Sequence, residues 1–111
     1  MNTIYLDGAK MYTVQAAHAE LIKKLHLPRY YGKNLDALWD VLSTIHENTE
    51  IILANPTAML NALDTYGARM LIVFFDAASD NPFVTFELTQ TLPEGESSAE
   101  ESEEDSSSWD Y

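Results

Sequence analysis

The stretch PRYYGKNLDALWDVL, residues 28–42, combines an acidic pair with an apolar helical pattern. Asp36 and Asp40 are four residues apart, so their side chains share one face of a helix. Two like charges at this spacing destabilise an isolated helix by about 0.2–0.5 kcal/mol, which helix propensity alone would not favour. Tyr30 and Trp39 add aromatic rings beside the pair. An acidic helix flanked by aromatic side chains is suited to binding a basic partner.

The helix predicted within this stretch has one apolar side and one acidic side. Asn34 is a suitable N-cap, and the pattern continues to about Ile45. On a helical wheel the apolar side chains form one arc, the carboxylates of Asp36 and Asp40 lie opposite, and Trp39 lies at the border. The helix should therefore pack on a core through this arc and expose its acidic pair. The arc consists of Leu35, Leu38, Val41, Leu42 and Ile45.

The patterns on either side of this helix predict a small α/β domain. Residues 2–7 and 84–89 alternate as strands do, and residues 51–54 are apolar throughout, as in a parallel strand covered on both faces. Thr13 is a suitable cap for a first helix that ends before Pro28. Strands separated by helical stretches predict a parallel sheet with helices packed on it. The apolar stripe of the first helix consists of Val14, Ala17, Leu21 and Leu25.

Residues 55–75 are less clear from pattern alone. Asn55 and Pro56 predict the N-cap and first turn of a short helix, and Gly67 predicts its end. The run MLIVFF, residues 70–75, is apolar all round and rich in β-branched and aromatic residues. Propensity favours a buried strand for this run, but a short apolar run is ambiguous between strand and helix.

The chain divides into a mildly acidic domain and a strongly acidic tail. The formal net charge is −12, and eight of the 18 acidic residues but none of the six basic ones lie from Glu94 onward. Residues 1–93 carry the other 10 acidic and all 6 basic residues, a net charge of −4. Composition therefore predicts a folded domain over residues 1–92 and a disordered Ser/Glu-rich tail over residues 93–111. This charge should repel nucleic acid and anionic membranes and favour basic protein partners.

Composition also limits the chemistry of the chain. It contains no cysteine, so a disulfide framework and a thiolate metal site are excluded. His46 and Glu47 lack a second ligand pair at metal spacing, and we predict neither a metal nor a cofactor. His18 and Tyr31 are expected to be packed residues, and His26 to belong to a helix end. The sequence shows neither a leader nor a membrane-length apolar run, so we expect a cytoplasmic protein. We also expect the protein to be monomeric in isolation.

The run P-R-Y-Y-G-K-N-L-D-A-L-W-D resembles the signature of the barstar family, close to P-x-Y-Y-G-x-N-L-D-A-L-W-D. Tyr-Tyr-Gly, Asn-Leu-Asp and Leu-Trp-Asp all occur at the matching offsets, and the order of elements fits from residue 1 to about residue 90. The resemblance implies a three-stranded parallel sheet with about four helices, and it favours a helix at residues 70–75. The acidic tail has no counterpart in the family.

The same resemblance implies a function. Members of this family are stoichiometric inhibitors, not enzymes, and they block guanyl-specific secreted bacterial ribonucleases of the barnase type. Such a partner is basic. Carried over by position, the residues of this chain that would contact it are Tyr30, Gly32, Asn34, Leu35, Asp36, Trp39 and Asp40, with Asp76 on the later helix as a further candidate.

Three positions depart from the family pattern. Arg29 and Lys33 stand where members often carry acidic residues, which weakens the local negative field. Ile45 lies near a position where the family can offer a second interfacial tryptophan. These departures point to a diverged ribonuclease or another basic toxin as the partner.

Two other functional classes are open at this level. In the first, the chain is an enzyme in which two of Asp36, Asp40 and Asp76 act as general acid and base, but the sequence supplies no nucleophile–base pair, phosphate-binding glycine loop or metal cluster. In the second, the chain is an immunity protein or adaptor that binds a different basic toxin or protein through the acidic tail, as a mimic of nucleic acid.

Overall fold

A computed structural model of the chain describes residues 2–92, which contain one three-stranded parallel sheet and four α-helices. This architecture confirms the predicted fold class. The predicted tail over residues 93–111 lies outside the described residues. The strands are β1 (Asn2–Asp7), β2 (Thr49–Ala54) and β3 (Val84–Thr89), and the helices are α1 (Val14–Leu25), α2 (Leu35–Ser43), α3 (Pro56–Leu63) and α4 (Thr65–Asp80), with a 3-10 turn at Gly8–Lys10.

The sheet buries one face and leaves the other largely exposed. The strand order is β1-β2-β3, so β2 is central, and Ile51 pairs with Ile4 on one side and Phe86 on the other. Ile51 is buried, but the next residue of the same strand, Ile52, is only half-buried. The prediction that both faces of β2 are covered is therefore wrong for the middle of the strand, but it holds at its end, where Ala54 lies on the same face as Ile52 and is completely buried. The buried face consists of Leu6, Ile51, Leu53, Val84 and Phe86, and the other face carries Thr3, Glu50, Thr85 and Glu87.

The residues that line a groove of about 720 Å³ show in which direction α1 and α2 run. This groove is lined by the first residues of β1 and β2 together with the last residues of α1 and α2. Both helices therefore end where the strands begin, and both run antiparallel to the sheet. The first turn of α2 consequently lies toward the edge where the strands end, and α2 packs against α4.

The first two helices begin where the sequence predicts. The hydroxyl of Thr13 accepts a hydrogen bond from the amide of Ala16 at 3.0 Å, which caps α1. Val14 departs from the predicted apolar stripe because it lies in the first turn, where its side chain is 38% exposed. The last turn of α2 ends at Ser43 and not at Ile45, although Ile45 still packs against the core.

Residues 70–75 lie in the middle of α4, so the strand favoured by propensity is wrong and the helix implied by the family resemblance is confirmed. Burial in α4 follows the helical repeat: Ile72 and Phe75 are 57% and 46% exposed, although both are strongly apolar. In a strand, alternate residues would share the core. The positions that α4 buries are Gly67, Met70, Phe74 and Ala77.

Gly67 does not end α3, as the sequence predicts, but lies in the first turn of α4. Helix α3 ends at Leu63, and the chain turns at Asp64 with a φ of 52°. A Cβ atom on Gly67 would lie 3.3 Å from the Cβ of Leu63. The missing side chain therefore lets α4 start directly against the end of α3.

Asn55 has a different role from the predicted side-chain cap. It stands at the N-cap of α3 in a left-handed conformation, without a capping side-chain hydrogen bond. Its Nδ2 instead donates to Oδ1 of Asp7 at 2.9 Å, and the amide of Asp7 donates to buried Glu20 at 3.0 Å. A Cβ on Gly8 would overlap the carbonyl oxygen of Asn55, so only glycine fits this crossing. These contacts fasten the carboxyl ends of β1 and β2 together.

Candidate partner-binding site

Helix α2 is fixed at its start by a side-chain cap and along its length by the core. The amide of Ala37 donates to Oδ1 of Asn34 at 2.7 Å, which confirms the predicted N-cap. Leu38 and Leu42 are completely buried in the core. The helix is therefore a rigid support that fixes the backbone positions from which the side chains on its other side project.

The acidic pair, Asp36 and Asp40, lies on the solvent side of α2, where both residues are exposed. This confirms the amphipathic helix predicted from the sequence. Asp36 is in the first turn, where the helix dipole stabilises a negative charge, but Asp40 lies one turn further along and gains less from it. Leu35 and Trp39 are half-buried against the core and border the acidic pair.

The binding loop, residues 28–33, precedes this helix and presents its two tyrosines differently. Tyr30 is 88% exposed, whereas Tyr31 is 6% exposed. The amide of Tyr31 donates to the carbonyl of Pro28 at 3.0 Å, which closes a tight turn around Tyr30. Tyr31 is a packed residue, as predicted, and Tyr30 is free to contact a partner.

Gly32 joins the binding loop to the cap of α2 at close range. A Cβ on this residue would lie 3.2 Å from the Cβ of Ala37, tighter than ordinary packing allows. The next residue, Lys33, has a φ of 58°, which is uncommon for a residue with a side chain. Glycine at position 32 thus lets the loop lie against the first turn of α2, and it also leaves the backbone accessible from outside.

The remaining candidate, Asp76, lies on a different element. It is exposed on α4, the helix that packs against α2. The seven other predicted residues therefore lie on one continuous loop and helix, whereas Asp76 belongs to the neighbouring helix. The loop-and-helix residues are Tyr30, Gly32, Asn34, Leu35, Asp36, Trp39 and Asp40.

A buried polar contact behind the binding loop was not predicted. His18 of α1 is 1% exposed, and its Nδ1 and Nε2 lie 2.9 Å from the Tyr31 hydroxyl and 2.7 Å from the Tyr66 hydroxyl. The sequence indicates a packed histidine, which is correct, but these hydroxyl partners are 13 and 48 residues away. We refer to Tyr31, His18 and Tyr66 as the buried triad, after the buried imidazole at its centre; Tyr66 itself is half-buried.

Comparison with known protein families identifies the family whose members share this loop and helix. The family described as "Barstar (barnase inhibitor)" matches residues 1–90 of the chain. The chain belongs to the barstar family. The match includes the binding loop, α2 and Asp76, and it stops before the acidic tail.

One curated protein is similar to this barstar-family chain over part of its length. Over 43 residues it is 46% identical to a Bacillus subtilis (strain 168) protein named "Putative ribonuclease inhibitor YrdF". The aligned segment covers 39% of this chain and 47% of that protein, so the chain spans about half the length of its relative.

The groove at the end of α2 is lined by His26, His46 and Glu47, and it contains none of the predicted partner-binding residues. Within residues 2–92 there is no group of three His, Cys, Asp or Glu side chains placed to hold a metal ion. In the same residues, no helix has the length and apolar character needed to cross a membrane.

Removing the cap of α2 is expected to destabilise the protein measurably. Asn34→Ala removes the acceptor of the Ala37 amide, and such caps contribute about 0.5–2 kcal/mol. Urea unfolding should show the free energy of unfolding lowered by about 1 kcal/mol. Asn48→Ala, in an exposed loop, is the matched control and should change stability little. Equal stability of the two variants would contradict the capping role.

Protonation of His18 is expected to make stability depend on pH. Burial, and secondarily the charge of Lys33, lowers the pKa of His18 from its usual 6.5. The unfolded chain therefore takes up this proton first as the pH falls, so the free energy of unfolding should decrease below about pH 6.5. Tyr31 and Tyr66, which face the imidazole, stay neutral in this range because burial raises the pKa of both hydroxyls.

Urea unfolding between pH 5 and pH 7.5 measures this dependence. His18→Gln should show a shallower decrease of the free energy of unfolding than the unchanged protein does. The two other histidines, His26 and His46, are exposed and are present in both proteins, so they cancel in the comparison. The same slope in both proteins would rule His18 out as the cause.

Proposed function

We propose that this barstar-family protein is a stoichiometric inhibitor of a guanyl-specific ribonuclease of the barnase type and has no catalytic activity of its own. The observation that carries the proposal is the exposed acidic pair on α2, a helix capped at Asn34 and anchored by Leu38 and Leu42. Family membership and the name of the Bacillus subtilis relative support the same function.

Electrostatic replacement of the substrate is the mechanism we infer. A ribonuclease active site gathers Arg, Lys and His side chains to bind phosphate and to stabilise developing negative charge. Asp40 would occupy the position of a substrate phosphate and accept charge-assisted hydrogen bonds, bidentate ones where the donor is Arg. Asp36, one helical turn away, would engage a second basic group.

The binding loop would add contact area beside these ion pairs. Tyr30 offers an aromatic face with almost no contact to its own protein, and this face can cover the ring of a catalytic histidine. Gly32 lets the partner approach the backbone. Leu35 and Trp39 would form an apolar border, and such borders exclude water from interfacial charges.

The rigidity of α2 matters as much as its charge. A carboxylate held on a capped and core-packed helix loses little conformational freedom on binding, so more of the attraction remains as affinity. Long-range attraction between a negatively charged inhibitor and a basic enzyme should also speed association and make it sensitive to salt. The net charge of −12 favours this encounter.

Three residues near the acidic pair bear on which ribonuclease is the target. Arg29 and Lys33 place positive charge within the binding loop, and Ile45 offers an aliphatic side chain near a position where relatives can present tryptophan. These residues favour a ribonuclease with acidic or apolar groups at the rim of its basic site. A different basic toxin is the second candidate, because the same loop charges reduce complementarity to a uniformly basic enzyme. In either case the inhibitor would act in the cytoplasm of the producing cell.

Titration of enzyme activity tests the proposal. Barnase at fixed concentration is mixed with increasing amounts of this protein, and cleavage of a guanosine-containing RNA is followed. Activity should fall in proportion to the added protein and reach zero near one equivalent. A saturable activity of this protein alone, or full ribonuclease activity at a tenfold excess, would contradict the proposal.

A further inference from the structure

The buried triad connects the binding loop to helices α1 and α4. His18 lies on α1, Tyr66 lies in the first turn of α4, and Tyr31 belongs to the binding loop. The imidazole ring of His18 stands 5.7 Å from the Tyr31 ring and 6.0 Å from the Tyr66 ring, measured between centroids. One buried ring thus joins three separate segments of the chain.

Both nitrogens of His18 have a hydroxyl partner, at 2.9 Å and 2.7 Å. A neutral imidazole has one N–H donor and one acceptor nitrogen, and a tyrosine hydroxyl can serve either of them. One tyrosine therefore donates to His18 and the other accepts from it. Burial keeps this arrangement neutral, since it lowers the pKa of His18 and raises that of Tyr31 to about 12. Every polar atom of the imidazole is satisfied, which gives the contact a defined geometry.

The position of Tyr31 makes this contact relevant to binding. Its neighbours in sequence are Tyr30, the most exposed aromatic side chain of the loop, and Gly32, which touches the cap of α2. A side chain fixed at position 31 also fixes the direction in which the backbone presents position 30. Without this anchor, the loop would keep its local turn from Pro28 but lose the hydrogen bond to His18 of α1 and, through His18, the connection to Tyr66 of α4.

We propose that His18 and Tyr66 are positioning residues for partner binding, holding the binding loop through Tyr31 so that Tyr30 is presented in its bound direction. The inference rests on the proposed inhibitor function, but neither residue is one of the predicted contacts. It assigns to Tyr66, at the start of α4, a role in binding through a hydrogen bond to His18.

Tyr66→Phe is the variant that tests the proposal, because it removes one hydroxyl and keeps the ring. A loop that holds its bound conformation in only a tenth of the molecules binds about tenfold more weakly. We expect a loss of about that size in the affinity for barnase, with a slower association rate, since the loop must order before it binds. The matched control is Tyr12→Phe, which removes a hydroxyl from a tyrosine that is 68% exposed.

A second measurement needs no partner. Hydrogen exchange of the free protein should show faster exchange at the amides of residues 30–33 in Tyr66→Phe than in the unchanged protein or in Tyr12→Phe. The core strand β2 should exchange equally in all three, which separates loop release from general loss of stability. Unchanged loop exchange in Tyr66→Phe would overturn the positioning role, as would barnase affinity equal to that of Tyr12→Phe.

The outcomes separate this inference from the proposed function. If the unchanged protein fails to bind barnase, the proposed function is wrong, and the exchange experiment still decides whether Tyr66 holds the loop. If the unchanged protein binds and both variants bind as well as it does, the proposed function stands and the positioning role is wrong.

Discussion

Asp40→Ala is expected to weaken binding to barnase by about 2–5 kcal/mol, because it leaves a basic group of the enzyme buried without its charged partner. Asp40 is exposed in the free protein, so the same change should leave its folding nearly unaffected. Most of the loss should appear as faster dissociation, since truncation of a buried ion pair acts mainly on the off-rate. Stopped-flow association and displacement experiments measure both rates.

Two further variants separate charge from shape. Asp40→Asn keeps the size of the side chain and removes its charge, so most of the loss should remain. Glu87→Ala removes another exposed carboxylate, from the open face of the sheet, and should change affinity little. Equal affinities of Asp40→Ala and Glu87→Ala would mean that α2 does not form the interface.

Phe74→Ala is expected to lower the free energy of unfolding by about 3–5 kcal/mol, the usual effect of removing a buried aromatic ring. The Phe74 side chain is 1% exposed and stacks on Phe86, with 4.6 Å between ring centroids. It therefore joins α4 to β3, and its loss would leave a cavity between a helix and the sheet.

Phe75→Ala is the matched control for this prediction. Phe75 contacts the edge of the same Phe86 ring at 4.9 Å, but it is 46% exposed, so we expect a loss of about 1 kcal/mol. Urea unfolding of the two variants gives both values. A loss at Phe75 as large as that at Phe74 would contradict the packing of α4.

The features that sequence predicts well in this protein are local ones. Asn34 and the arc of leucines lie within one turn or a few turns of each other, so spacing alone places the cap, the buried face and the exposed acidic pair. Thr13 and α1 follow the same logic. In these segments, the partner of each side chain is encoded close to it in the chain.

The features that sequence misses depend on distant partners. MLIVFF contains six apolar residues, and nothing within the run shows that Ile72 and Phe75 face solvent while Phe74 meets Phe86. The side chain of Asn55 leaves its expected cap because Asp7, 48 residues earlier, offers a carboxylate. The buried triad likewise joins residues from α1, the binding loop and α4, which only the fold brings together.

The family resemblance corrects one of these cases but not the others. It favours a helix at residues 70–75 because it carries the order of elements over the whole domain. It does not predict the contact between His18 and Tyr66, which lie 48 residues apart in the chain. The partner-binding residues themselves stay a prediction, supported by the exposure of Tyr30, Asp36 and Asp40.

The central claim, that the acidic face of α2 forms the inhibitory surface, can be set against the acidic tail in one assay. Inhibition of barnase is titrated with the full chain, with a chain lacking residues 93–111, and with the double variant Asp36→Asn, Asp40→Asn. The tail deletion removes eight carboxylates and the double variant only two. We expect the shortened chain to inhibit at one equivalent like the full chain, and the double variant to need a large excess. Loss of inhibition on deletion of the tail, with full inhibition by the double variant, would contradict the account.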